Sequence, residues 1–109
     1  MTGSLHKGRE FQSVYDENCS RANRYLVMYV AKNGTEKNRI GIVTSKKIGN
    51  SVVRHRVRRL IRESLRQNGE RINNGLDVIV IARRTCVGKT QAEIAKAVLH
   101  VAELHGITR

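Results

Sequence analysis

Near residue 50 the chain changes its hydrophobic period, and that change constrains the fold more than any other feature. The positions Val53, Val57, Leu60, Ile61, Ser64 and Leu65 recur every three or four residues, the spacing of one face of an α-helix. Asn50 or Ser51 can cap its start, and Gly69 is a stop signal. Upstream, residues 39–45 read as a strand. Downstream, Val78-Ile79-Val80-Ile81-Ala82 is apolar at every position, the pattern of a strand buried on both faces. A helix between two strands predicts a crossover unit within one sheet, hence an α/β layer fold. The general rule makes such a crossover right-handed.

The rest of the chain extends this plan. A first helix is expected over residues 4–17, where Phe11, Val14 and Tyr15 share a face. Residues 23–31 read as a strand with two apolar faces, Leu26, Met28 and Val30 on one, Tyr25, Val27 and Tyr29 on the other. Asn33-Gly34 and Asn73-Asn74-Gly75 supply turns. The last helix opens with a capping box, Thr90 and Glu93, carries Ala95, Val98, Leu99 and Ala102 as its core stripe, and ends at Gly106. The order is helix, strand, strand, helix, strand, helix, in a single domain over residues 1–109. No repeat, linker or low-complexity tract divides it.

Charge points to the partner. The chain has 21 Lys plus Arg against 9 Asp plus Glu, a net charge of +12, which fits a polyanion binder. The charge is clustered: Lys46, Lys47, Arg54, Arg56, Arg58, Arg59, Arg62 and Arg66 face one nearby acid, Glu63. With the apolar stripe turned inward, Arg54, His55, Arg58, Arg59, Arg62 and Arg66 spread over the outer side of the same helix. Guanidinium forks match phosphate oxygens and stack on bases. A solvated helix face normally mixes signs. The cluster therefore signals nucleic acid, and by itself does not separate RNA from DNA.

The aromatics Phe11, Tyr15, Tyr25 and Tyr29 all lie in the first third of the chain. If the first helix lies beside the first strand, they line one groove, and sheet aromatics act as stacking platforms for single-stranded nucleic acid. Phe11 taken alone fits ordinary core slightly better.

Other classes are disfavoured. No apolar run approaches the roughly 20 residues of a membrane span, and residues 1–9 lack the apolar stretch of a signal peptide. Cys19 and Cys86 show no metal or redox spacing. The histidines His6, His55, His100 and His105 are dispersed, and Gly34, Gly41 and Gly49 form no phosphate loop. No paired-carboxylate motif or nucleophile elbow is present. A cytoplasmic binding protein without metal or catalytic residues of its own is expected.

The segment Ser45-Lys46-Lys47-Ile48-Gly49-Asn50-Ser51-Val52-Val53-Arg54-His55-Arg56-Val57-Arg58-Arg59-Leu60-Ile61-Arg62-Glu63 resembles the signature of the bacterial ribonuclease P protein component. The likeness extends to Glu10-Phe11-Gln12-Ser13-Val14-Tyr15, Ala22-Asn23-Arg24 and Asp77-Val78-Ile79-Val80-Ile81-Ala82-Arg83, and covers roughly residues 5–104. It implies an α+β two-layer sandwich in α-β-β-β-α-β-α order, ribosomal protein S5 domain 2-like, with an unusual left-handed crossover. It also implies an accessory subunit of an endoribonuclease whose catalyst is RNA, assisting removal of the 5′ leader of precursor tRNA, with the protein alone inactive. Magnesium would be held by the RNA, and no obligate protein partner or membrane is implied. The residues implied to meet the catalytic RNA are Lys46, Lys47, Asn50, Arg54, His55, Arg56, Arg58, Arg59 and Arg62. Those implied to meet the leader are Phe11, Tyr15, Val27, Tyr29, Ser45, Arg83 and Arg84. His55 stands where the family usually has Asn; it can still donate to phosphate or stack on a base. The rival reading is a ribosomal or RNA-packaging protein without a role in catalysis.

Overall fold

The computed structural model describes residues 2–6 and 8–109. Met1 and Lys7, inside the spans expected for the domain and the first helix, lie outside the described residues. In chain order these form β1 (Thr2–Ser4), α1 (Gly8–Asp16), β2 (Ser20–Ala22), β3 (Leu26–Lys32), β4 (Asn38–Val43), α2 (Ser51–Gln67), β5 (Leu76–Ala82) and α3 (Gln91–Leu104). Short 3-10 turns occupy Lys46–Ile48, Gly69–Arg71 and Arg84–Cys86.

The strands make one sheet in the order β1-β4-β5-β3-β2. β5 sits at its centre, antiparallel to β3 from Leu26↔Ala82 to Lys32↔Leu76 and parallel to β4 from Arg39↔Asp77 to Val43↔Ile81. The expected β4–α2–β5 crossover is therefore present. Side chains alternate across the pleat, so β5 feeds two cores. Val78 and Val80 join Leu26, Met28 and Val30 against Val57 and Ile61 of α2 and Ile94, Val98 and Val101 of α3. Ile79 packs with Leu5 and Val14, ringed by half-buried Phe11, Tyr15, Tyr29, Val43 and Ile81. Helices α2 and α3 thus cover one face, and α1 covers part of the other. Each fully buried aliphatic side chain contributes about 1.5–3 kcal/mol.

Helix starts follow the caps. The Asn50 side chain accepts from the Val53 amide at 3.0 Å, which settles Asn50 over Ser51 as the cap of α2. Thr90 and Glu93 form the expected capping box of α3. Several boundaries differ from the pattern-based reading. Residues 2–4 are strand: they pair in parallel with residues 38–40 of β4, and the Leu5 amide continues the ladder to the Ile40 carbonyl at 2.9 Å. The first helix consequently begins at Gly8, with the Glu10 carboxylate accepting from the His6 amide at 2.9 Å. A three-residue sequence pattern carries no usable period, so periodicity shows neither β1 nor the edge strand β2; the order implied by the family resemblance contains β2 but not β1. Asn23 and Tyr25 belong to a turn rather than to β3. The Asn23 side-chain oxygen accepts from the Tyr25 and Leu26 amides, while its amide nitrogen donates to Ala97 of α3 at 2.8 Å. That side-chain-built turn removes Tyr25 from the Val27 and Tyr29 face and packs it against the α2/α3 core instead.

Candidate nucleic-acid interface

The basic helix presents its charge as the wheel requires, but its arginines are not equivalent. Val57, Ile61 and Ser64 are buried. His55, Arg56, Arg59 and Arg62 are exposed, together with Asn50, Lys46 and Lys47 just upstream. Arg54 and Arg58 are half-buried and turn back on the fold. Arg54 donates to the Gly49 carbonyl at 3.2 Å, and Arg58 donates to the Thr44 hydroxyl at 2.8 Å. The Arg58–Thr44 bond joins the middle of α2 to the end of β4. Arg66, in the last turn, is paired with Glu63, and that guanidinium holds the Glu63 carboxyl below the usual carboxylate range. Val52, 77 % exposed beside these cations, is an apolar surface on the same helix that the sequence reading passed over.

On the opposite face of the sheet, α1 crosses the three central strands and lays one side chain over each. Phe11 lies on β4. A Cβ at Gly41 would stand 2.6 Å from two of its ring atoms, so glycine is what lets the ring approach. Val14 is buried with Ile79 of β5. Tyr15 meets Tyr29 of β3 edge to face, with ring centroids 4.9 Å apart and an interplanar angle of 86°, a favoured aromatic geometry. Val27 is half-buried two residues before Tyr29, on the same face of the strand. Burial, helped by the neighbouring Tyr29, raises the Tyr15 phenol above its ordinary value of 10.0, so the ring is neutral near neutral pH. Phe11, Tyr15 and Tyr29 thus pack around the Ile79 core and stay half-buried on the α1 side of the sheet.

The two faces meet at the end of β5. Arg84 donates to the Lys47 carbonyl at 3.1 Å, and Arg83 donates to the Asn23 carbonyl at 3.0 Å. Ser45, Arg83 and Arg84 are all exposed there. A basic rim therefore runs from the 3-10 turn before α2 across the edge of the sheet.

The α1 face is braced by a charged cluster. Asp77 of β5, 6 % exposed, accepts from Arg39 Nε at 2.8 Å, Arg39 Nη2 at 2.6 Å and Asn33 Nδ2 at 3.0 Å. Arg39 also reaches Glu10 of α1 at 2.9 Å. The bonds from Arg39 hold the Asp77 carboxyl below its ordinary 3.8. Among the described residues, no group of three or more His, Cys, Asp or Glu side chains could hold a metal ion, and no helix is long and apolar enough to cross a membrane.

The family model described as Ribonuclease P matches residues 2–104. The chain belongs to the ribonuclease P protein family. A ribonuclease P protein component of Lachnoclostridium phytofermentans is 52% identical over 107 residues, covering 98% of this chain and 92% of its own length. One from Alkaliphilus oremlandii is 45% identical over 97 residues, covering 89% of this chain and 85% of its own. Among solved structures, the Staphylococcus aureus RNase P protein superposes with a TM-score of 0.87 at 34% identity, covering 97% of each chain. The Thermotoga maritima protein gives 0.85 at 28% identity, covering 93% of this chain and 96% of that one. Family membership makes the chain a protein subunit of an enzyme that processes tRNA 5′ ends. It does not favour the ribosomal or RNA-packaging alternative.

Proposed function

We propose that this ribonuclease P subunit holds two RNAs at once, one on each side of its sheet. The catalytic RNA lies on α2 and the turn before it, against Lys46, Lys47, Asn50, Arg54, His55, Arg56, Arg58, Arg59 and Arg62. The single-stranded 5′ leader of precursor tRNA lies in the cleft of Phe11, Tyr15, Val27 and Tyr29, with Ser45, Arg83 and Arg84 at its end. The observation that supports this reading best is the segregation of surfaces: exposed guanidinium groups on the α2 face, half-buried aromatic rings on the α1 face, and basic residues bridging them. Arg54 and Arg58, tied to Gly49 and Thr44, orient the helix as well as charging it.

Catalysis on this reading resides in the RNA, which also holds the magnesium. The protein neutralises backbone phosphate and releases counterions, so affinity falls steeply with salt. The aromatic cleft holds unpaired bases by stacking, about 1–3 kcal/mol per base, and the two contacts together fix the scissile phosphate relative to the RNA active site. A cytoplasmic setting and no obligate protein partner complete the proposal.

The test is precursor-tRNA cleavage at low magnesium by ribonuclease P RNA, with and without the protein, and by the protein alone. Stimulation of correct 5′ cleavage, with the protein alone inert, is expected. Arg59→Ala with Arg62→Ala should weaken RNA-subunit binding and lower the salt dependence. Phe11→Ala with Tyr29→Ala should remove the preference for leader-bearing substrate. Unchanged affinities in both pairs would overturn the assignment of the two faces.

A further inference from the structure

The turn that takes Tyr25 away from the aromatic cleft builds a second groove. It is a cavity of about 380 Å³ between this turn and α3, lined by Arg24, Tyr25, Glu93, Lys96 and His100, with Asn23 and Ala97 at its base. That size lies at the small end of ligand cavities, roughly 300–1,000 Å³. Lys89 stands over the Tyr25 ring, its ammonium 5.6 Å from the centroid, a cation–π distance. Arg24, Lys96 and His100 are exposed. The acid of the group, Glu93, is committed elsewhere: its carboxylate accepts from the Thr90 amide and hydroxyl in the capping box. Those bonds to Thr90 hold its carboxyl below the usual value. The groove thus combines an aromatic face with cations whose local counter-charge is turned toward a helix end.

We infer that this groove is a third RNA contact, a seat for one unpaired nucleotide of the RNA subunit. The base stacks on Tyr25, and Arg24, Lys89 and Lys96 take the flanking phosphates. An unpaired base is required because paired bases hide their faces from a side chain. The source is the RNA subunit rather than the leader because Tyr25 packs on the α2/α3 side of the sheet, whereas Phe11, Tyr15 and Tyr29 lie on the other. The groove is also joined physically to the α2 surface. Thr85 donates to the Arg24 carbonyl, Arg83 to the Asn23 carbonyl and Arg84 to the Lys47 carbonyl. One strand of RNA backbone following that rim reaches α3. This inference rests on the proposed function, since it takes the RNA on α2 to be the ribonuclease P RNA.

The experiment measures binding of the full-length protein to ribonuclease P RNA across a salt series, with thermal melts as a control for folding. Tyr25→Ala should weaken binding roughly 5- to 150-fold, the loss of one stacked base, and Tyr25→Phe should retain it. Lys96→Ala, on the exposed side of α3, should weaken binding several-fold and lower the salt slope by about one ion. The ratio of affinities for leader-bearing and leaderless tRNA should be unchanged in each. Wild-type affinity in Tyr25→Ala, or a loss confined to the leader ratio, overturns the third contact alone. If Tyr25→Ala fails to fold, wild-type affinity and salt slope in Lys96→Ala overturn it instead. A wild-type protein that does not bind ribonuclease P RNA overturns the inference and the proposed function together.

Discussion

Replacing Asp77 by Asn tests whether the charged cluster under α1 stabilises the fold, and the structure sets the size of the effect. The Asp77 side chain is 8% exposed and Arg39 is 40% exposed. Breaking a fully buried ion pair costs about 3–5 kcal/mol, while exposed pairs contribute about 0–1 kcal/mol. Here the acid is buried and the base can recover water and keep Glu10. Asn preserves the shape but sets an amide in a site built to receive Arg39 and Asn33. The expected loss is about 2–3 kcal/mol at pH 7, the range of charge-assisted hydrogen bonds. For a domain of this size that lowers the melting temperature by about 10–20 °C. The dependence on pH has a definite sign. The folded-state value of Asp77 lies below its ordinary 3.8, so its contribution is complete above 3.8 and fades as pH falls through the lower folded value. Urea titrations of both proteins at pH 7 and again below 3.8 should show the gap narrowing in acid. A difference under about 0.5 kcal/mol at pH 7, or a gap that does not narrow, would refute the reasoning.

Gly41→Ala places a methyl 2.6 Å from Phe11 ring atoms, so the ring must swing away. Urea titration should register about 1–3 kcal/mol of overpacking, and preference for leader-bearing tRNA should fall with it. His105 Nε2 lies 2.7 Å from the Met28 carbonyl, and burial, reinforced by Arg21, keeps its imidazole below the ordinary 6.5 despite that carbonyl. Folded protein therefore takes up this proton less readily than unfolded chain, and stability should decline as pH drops from 6.5 through the folded value. His105→Gln should flatten that part of a melting-temperature profile. Asn50→Ala removes the acceptor for the Val53 amide and should cost about 1 kcal/mol in denaturant. Its RNA affinity should fall as the first turn of α2 frays, and a gain in either quantity would contradict the cap assignment.

What could be read in the sequence was whatever repeats over several residues. The stripe through Val53, Val57, Ile61 and Ser64 and the continuous apolar run of β5 determined a helix returning to a central strand, because burial on one face or two leaves different periods. The clustered arginines determined a polyanion surface, since no apolar contact would tolerate them. Tertiary structure decided what depends on meetings between distant residues. Strand β1 exists because β4 offers it an edge, and Gly41 is required only because Phe11 arrives from another element. Arg58 and Arg59 are adjacent and chemically identical, yet one is bound to Thr44 and the other faces solvent. Tyr25 alternates perfectly with Val27 and Tyr29, and a single side chain, Asn23, bends it to the opposite face of the sheet. Periodicity records which way a segment would face if it ran straight; only the completed hydrogen bonds determine where it stops being straight.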